Sequence, residues 1–187
     1  MKKITAFNFI TLNGFLNDVD GDISWHRHGV EENQFAAESL QSGNTLLFGR
    51  NTYEMMAGYW PTPMAMQNDP DVAEGMNNAE KIVISRTLKK ADWKNTKVIG
   101  DNVIQEIKHL KILPGNDITI LGSGSIVSLL AKNDLIDEYQ IMIDPVAIGS
   151  GTPLFKGIRQ TLNLELIQVK AFKSGTVLLS YKPLPAM

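Results

Sequence analysis

Apolar positions along the chain fall into short β-branched runs separated by stretches with helical spacing. Residues 4–11 (ITAFNFIT) are β-branched and aromatic, which predicts a first strand. The turn formers Asn17-Asp18-Val19-Asp20-Gly21-Asp22 then predict a polar loop. Residues 30–40 place Phe35, Ala36 and Leu40 at helical spacing behind two acids, Glu31 and Glu32. Short buried strands are expected at 45–48 (TLLF, stopped by Gly49), 81–85 (KIVIS) and 97–99 (closed by Gly100). Val103, Ile107 and Leu110 recur as i, i+4, i+7 on one helix face. Pro114-Gly115-Asn116 ends that helix, and residues 117–121 (DITIL) resume a strand. Ile126, Leu129 and Leu130 mark another helix, and residues 136–143 another strand. The tail changes pattern: 162–172 and 176–181 read as two strands joined through Lys173-Ser174-Gly175, a hairpin. The stretch 58–78, rich in Met and Pro, reads as an irregular covering loop.

Strands alternating with helices, at connections too long for hairpins, imply βαβ crossovers. The expected fold is therefore α/β, a single domain with a mostly parallel central sheet flanked by helices and a C-terminal antiparallel hairpin. A chain of 187 residues, 43% hydrophobic, is long enough for one such core. No internal repeat or flexible linker interrupts it.

Charge and composition remove several function classes. The net charge of −2 and the lack of a basic cluster longer than Lys89-Lys90 speak against a nucleic-acid partner. With no cysteine, disulfides, thiolate metal sites and a cysteine nucleophile are excluded. The N-terminal MKKITAFNFITLNG lacks a continuous apolar segment, because Asn8 and Asn13 interrupt it, so a secretory signal is not expected. Nor does any stretch reach the roughly 18 apolar residues of a membrane span. A cytoplasmic protein with no membrane partner is the expectation.

In open α/β sheets ligands bind outside the carboxyl ends of the strands. Three turns fall at such ends. In FGRNTYEMM, Gly49 allows a sharp turn and Arg50 emerges at the sheet edge, with Thr52 in the first helical turn. Asn51 and Glu54 have capping-box spacing, which explains those two residues without explaining Arg50. In KIVISRTL, Ser85 and Arg86 follow a buried strand, where a hydroxyl and a guanidinium can clasp a phosphate or simply form a solvated turn. In ILGSGSIVSLL, Gly122, Ser123, Gly124 and Ser125 form a glycine turn before a helix, where free amides suit an anion. That last turn matches only part of the G-x-G-x-x-G fingerprint, since Val127 stands in the third glycine's place. Asp144, about 20 residues on, stands where a ribose-binding acid would be in that motif, though Pro145 makes a plain turn equally good.

Taken in order, these segments resemble the dihydrofolate reductase-like family, and within it the C-terminal reductase domain of bacterial bifunctional riboflavin-biosynthesis deaminase-reductases. TLNGFLNDVDGDISW is similar to the first strand and catalytic loop, FGRNTYE to a G-R-x-T-x-E segment, and KIVISRTL to the adenosine-side strand. ITILGSGSIVSLL resembles the family's glycine turn and helix, and DEYQIMIDPVAIGSGTPLF its late strand and G-x-G-x-P-L-F segment. The resemblance covers nearly the whole chain. It implies an NADPH-dependent reductase of a pterin- or aminopyrimidine-like heterocycle, of the 5-amino-6-(5-phosphoribosylamino)uracil reductase or dihydrofolate reductase type. Arg50, Ser85 and Arg86 would take the 2′-phosphate of the adenosine ribose. Thr52, behind Gly49, would approach the pyrophosphate, which Gly122, Ser123, Gly124 and Ser125 would cradle. The zinc-binding cysteines of a deaminase half have no counterpart, so a stand-alone reductase is expected. A homodimer is implied by the resemblance alone.

The implied proton donor is a carboxylate near the first helix. Asp22 is the preferred candidate, followed by Glu31 and Glu32, although Asp18, Asp20 and Asp22 also suit plain turn chemistry. His26 and His28 flank Arg27, but three histidines in all make a metal site a poor expectation. Trp25, Tyr59 and Trp60 could stack a flat ring or pack as a lid, and Met55, Met56, Met64 and Met66 read as adaptable filling. GSGS is not a G-x-S-x-G nucleophile elbow. Two other readings stand beside the reductase: a non-catalytic ligand-binding protein on the same fold, and an NADH-dependent Rossmann-type oxidoreductase using Asp144.

Overall fold

The run ITAFNFIT forms β1 (Ile4–Thr11), an interior strand that is largely buried along its length. Ile4, Ala6 and Ile10 pack into one core cluster, while Phe7 joins another with Met142, Phe172 and Leu178. The computed structural model describes residues 1–26 and 29–185. Among these, β2 (Phe15–Asn17), α1 (Val30–Gln41), β3 (Thr45–Gly49), α2 (Arg50–Tyr59), α3 (Pro63–Asn68) and α4 (Pro70–Asn78) follow β1. Next come β4 (Lys81–Ile84), β5 (Thr96–Ile99), α5 (Val103–Ile112), β6 (Ile118–Leu121) and α6 (Gly124–Ala131). The chain ends with β7 (Glu138–Asp144), β8 (Thr152–Pro153), β9 (Leu164–Ala171) and β10 (Val177–Pro183).

One eight-stranded sheet runs in the order β5-β4-β3-β6-β1-β7-β10-β9. The first six strands are parallel, and the terminal hairpin adds β10 and β9 antiparallel at one edge. The path skips a place between β1 and β3 that β6 later fills. Neighbouring β3 and β6 then send the chain to opposite faces. Tyr53 of α2 packs with Phe48, Val72 and Met76, whereas Ile126 and Leu130 of α6 pack with Leu47 and Ile120. Such a divergence opens a crevice at the strand ends.

The segment read as a covering loop is mostly helical. Thr62 caps α3 by accepting from the Ala65 amide, and Pro63 and Pro70 each sit in a first helical turn. Proline there costs no hydrogen bond, so these prolines start helices rather than breaking them. α4 then packs on α1, so closely that a Cβ on Gly75 would lie 2.8 Å from Leu40 Cβ. Met64 and Met66 are exposed, whereas Met56 packs against the core beside Tyr53 and Met76.

Lys81, first residue of β4, is 1% exposed. Its Nζ donates to the carbonyls of Met76, Asn77 and Ala79 at the end of α4 and lies 4.5 Å from the Trp93 ring centre. Orphan carbonyls at a helix C-terminus are thereby satisfied from inside the core.

Candidate functional site

At the end of β6 two consecutive residues, Gly122 and Ser123, adopt left-handed backbone at φ 62° and 58°. This turn swings the Ser123 hydroxyl across to the start of α2. Ser123 Oγ accepts from the Gly49 amide at 2.7 Å and shares a 2.8 Å hydrogen bond with Thr52 Oγ1. A Cβ on Gly49 would fall 2.7 Å from that oxygen, so glycine is needed by close approach. One hydroxyl thus fastens the two glycine turns to each other.

Neither helix start is capped by a side chain. α2 begins directly after Gly49 and α6 directly after Ser123, and neither residue's side chain makes a cap hydrogen bond. The capping box expected of Asn51 and Glu54 does not form. Helix α2 starts at Arg50, which puts Asn51 inside the first turn, and Glu54 pairs instead with Arg50 Nε at 2.7 Å. Two helix N-termini with uncapped amides therefore converge, which is a favourable field for an anion.

Arg50 also donates from Nη1 to Thr87 Oγ1 at 2.7 Å. Ser85 Oγ accepts from the amides of Thr87 and Leu88, shaping the turn that carries Arg86. The structure thus brings Arg50 to the Ser85-Arg86-Thr87 turn, across two strands. Thr87 was not singled out by sequence, since only the fold shows that Arg50 reaches it.

These turns open onto a cavity of about 1420 Å³ between the sheet, α1 and α2. Gly49, Arg50, Thr52 and residues 122–125 line it at one end, whereas Ser85 and Arg86 stand outside its wall. Phe7, Phe9, Phe35, Met56, Tyr59 and Trp60 form much of the remainder. Tyr59 and Trp60 meet edge-to-face at 5.0 Å, and Trp60 Nε1 donates to Met56 Sδ. Trp25 stands behind that wall, edge-on to His26. The G-S-G-T-P-L-F segment braces the loop after β1, with β8 pairing to β2 and the Leu154 amide donating to the Gly14 carbonyl.

The titratable residues divide sharply. Asp22 is exposed and is not part of the cavity wall. Its carboxylate accepts from the Ser24 hydroxyl and the Ser24 amide, and these bonds hold it below the usual carboxylate range. Glu31 accepts from the Lys173 amide and pairs with its ammonium, which likewise lowers it. Glu32, only 5% exposed, does line the cavity and accepts from the Ser174 hydroxyl. The tip of the terminal hairpin therefore grips the first turn of α1.

His26 lines the cavity too, its ring centre 3.9 Å from that of Phe9. Its Nδ1 lies 2.9 Å from Oδ2 of Asp144, which is fully buried at the end of β7. Asp144 so placed has no surface to offer a ribose, which removes the Rossmann-type reading of that residue. His28 lies outside the described residues. Among the described residues no group of three or more His, Cys, Asp or Glu could hold a metal, and no helix is long and apolar enough to cross a membrane.

A parallel sheet with an inserted strand, an antiparallel terminal hairpin and paired glycine turns at the switch point define a dihydrofolate reductase-like fold. The chain belongs to the RibD C-terminal domain family, which it matches over residues 2–178. Two relatives from Bacillus subtilis strain 168, the uncharacterized proteins YyaP and YwjB, are 29% and 27% identical over 92% and 91% of this chain and 90% and 92% of their own length. Among solved structures, a putative riboflavin biosynthesis protein from Shewanella sp. PV-4 superposes with a TM-score of 0.76 at 20% identity, covering 98% of this chain and 99% of that one. A pyrimidine reductase-like protein from Corynebacterium diphtheriae gives 0.66 at 14% identity, covering 99% and 93%. The Thermotoga maritima deaminase/5-amino-6-(5-phosphoribosylamino)uracil reductase gives 0.69 at 15% identity, with 98% of this chain matching 57% of that longer one. At these identities the superpositions establish the fold.

Proposed function

We propose that this chain is an NADPH-dependent reductase acting on a C=N or C=O group of a flat pterin- or aminopyrimidine-like heterocycle. The observation that carries this reading is the convergence of two uncapped helix starts, fastened through Ser123, at one end of an aromatic-lined cavity. Membership of the RibD C-terminal domain family supports the reductase class.

The residues present fit a phosphorylated dinucleotide. Close approach at Gly49 and the left-handed turn at Gly122 and Ser123 bring the two helix starts close together. Amides of residues 122–125 and the Thr52 hydroxyl would hold a diphosphate there. Arg50, Ser85 and Arg86 would take the 2′-phosphate, and two guanidiniums beside one phosphate favour NADPH over NADH by charge pairing. When bound, the cofactor supplies the hydride. This chain's own residues orient the rings and exclude water with Phe9, Phe35, Tyr59 and Trp60. His26 and Glu32, the buried titratable groups of the wall, are placed to carry the proton in preference to Asp22.

Titration of the intrinsic tryptophan fluorescence with NADPH and NADH tests the reading. NADPH is expected to bind at least ~10-fold more tightly, a difference of about 1.4 kcal/mol. Equal affinities would remove the 2′-phosphate assignment. NADPH binding without oxidation by dihydrofolate or the ribosylated aminopyrimidine would leave a ligand-binding protein.

A further inference from the structure

The cavity wall changes in charge from one end to the other. Arg50 stands at the end formed by the glycine turns, where Glu54 and Thr87 engage its guanidinium. Beyond it the lining, among the described residues, carries three carboxylates, Asp20, Glu32 and Asp69, and no lysine or arginine. His26 lines the same wall. Its imidazole is paired with the buried Asp144 carboxylate, so the pair adds no net positive charge in either protonation state of the ring.

The fold fixes where these acids stand. Glu32 lies in the first turn of α1, where the Ser174 hydroxyl donates to its Oε1. Its Oε2 lies against the backbone of Gly29, only 2.2 Å from where a Cβ would be. Asp69 joins α3 to α4 without capping α4, and its Oδ1 accepts from Asn33 Nδ2 at 2.6 Å. Asp20 is exposed at the lip of the cavity, in the loop after β2.

The neutral groups beside them have the same polarity. Asn33 donates its amide nitrogen to Asp69, and Asn44 donates its own to Thr119 Oγ1 at 3.1 Å. A carboxamide turned this way has its carbonyl oxygen, an acceptor, for a ligand. Acceptors and carboxylates together suit N–H donors on a ligand. An anion brought among them is repelled more strongly than in bulk water, because an aromatic-lined pocket screens charge poorly.

We infer that the substrate of this cavity is an amino-bearing heterocycle with no phosphate or other anionic substituent, selected by Glu32, Asp69 and Asp20. The inference rests on the reading of the cavity as a reductase's substrate pocket, and it narrows that reading. A phosphoribosylated aminopyrimidine should be a poorer ligand than its dephosphorylated form.

Isothermal titration of the free protein tests this without any cofactor, so it can fail while the NADPH assignment stands. The probes are two matched pairs: 5-amino-6-(5-phosphoribosylamino)uracil and its dephosphorylated form, and 7,8-dihydroneopterin monophosphate and 7,8-dihydroneopterin. For the ring that binds, the member without phosphate is expected to bind at least ~10-fold more tightly. Asp69→Asn and Asp20→Asn, both near-isosteric, should each narrow that ratio by about 3-fold or more, and added salt should narrow it as well. A merely structural role would move both members of a pair together and leave the ratio unchanged. Equal or tighter binding of a phosphorylated member, a ratio untouched by both substitutions, or binding of none of the probes would each overturn the inference.

Discussion

His26 and Asp144, 118 residues apart, meet at 2.9 Å where the loop after β2 crosses the carboxyl end of β7. The contact ties the wall of the cavity to the centre of the sheet. It should appear as an energetic coupling. In a double-mutant cycle with His26→Ala and Asp144→Ala, the pair is expected to couple by about 1–3 kcal/mol in urea unfolding. Additivity to within ~0.5 kcal/mol would show that the two residues stabilise independently.

Glycine at position 49 is a matter of space, and Gly58 in the helix that follows it gives the control. Gly49→Ala should push Ser123 aside and weaken NADPH binding about 10-fold or more, since a Cβ there would lie 2.7 Å from Ser123 Oγ. At Gly58 an added Cβ meets nothing within 4 Å, so Gly58→Ala should leave binding unchanged and stabilise by about 0.4–1 kcal/mol. Equal losses of cofactor affinity from both substitutions would contradict the close-approach argument.

Arg50 pairs with Glu54 and Thr87 in the free protein, so its loss should cost little stability. Arg50→Ala should lower NADPH affinity by about 10- to 100-fold and leave NADH affinity nearly untouched. An equal fall for both cofactors would assign Arg50 to the diphosphate or to the helix start.

Burial pushes the Lys81 ammonium down to about 8, against 10.5 for the free side chain. The unfolded chain therefore keeps a proton between pH 8 and 10.5 that the folded chain gives up. Stability from this group rises with pH across that window and is flat below it. In urea titrations, wild type minus Lys81→Met should accordingly grow from pH 8 to 10, other groups cancelling in the difference. A constant difference would show that the three carbonyls and Trp93 hold the ammonium charged throughout.

Asp22 and Glu32 make opposite predictions for turnover. Asp22→Asn removes an exposed loop acid and should change kcat by less than ~3-fold, whereas Glu32→Gln alters the cavity wall and should lower it by about 10-fold or more. Steady-state kinetics with NADPH and an accepted heterocycle would decide, and a larger loss at Asp22 would return the proton to the loop.

Regular periodicity carried most of the fold. The β-branched and aromatic residues of ITAFNFIT, the helical spacing of Val103, Ile107 and Leu110, and the Lys173-Ser174-Gly175 turn each state a local preference that packing reinforces. Local rules misread the stretch from 58 to 78, because Pro63 and Pro70 punctuate a sequence equally well as breakers or as first-turn residues. They also misread Asn51 and Glu54, since capping spacing does not reveal that the helix begins two residues earlier. The two glycine turns were legible as separate helix starts with free amides. What no window could show was that Ser123 joins them, that Arg50 reaches Thr87, or that Asp144 closes on His26. Those contacts span 37 to 118 residues and exist only where the sheet sets distant segments side by side.

The Ser123 hydroxyl has a dynamic consequence as well. Because it binds both the Gly49 amide and Thr52, the turn after β3 cannot open without releasing the turn after β6. The two are expected to exchange their amides as one cooperative unit rather than as two independently fraying loops. Filling either half with an anion would slow exchange in the other. The protein holds its two glycine turns in register before any ligand arrives.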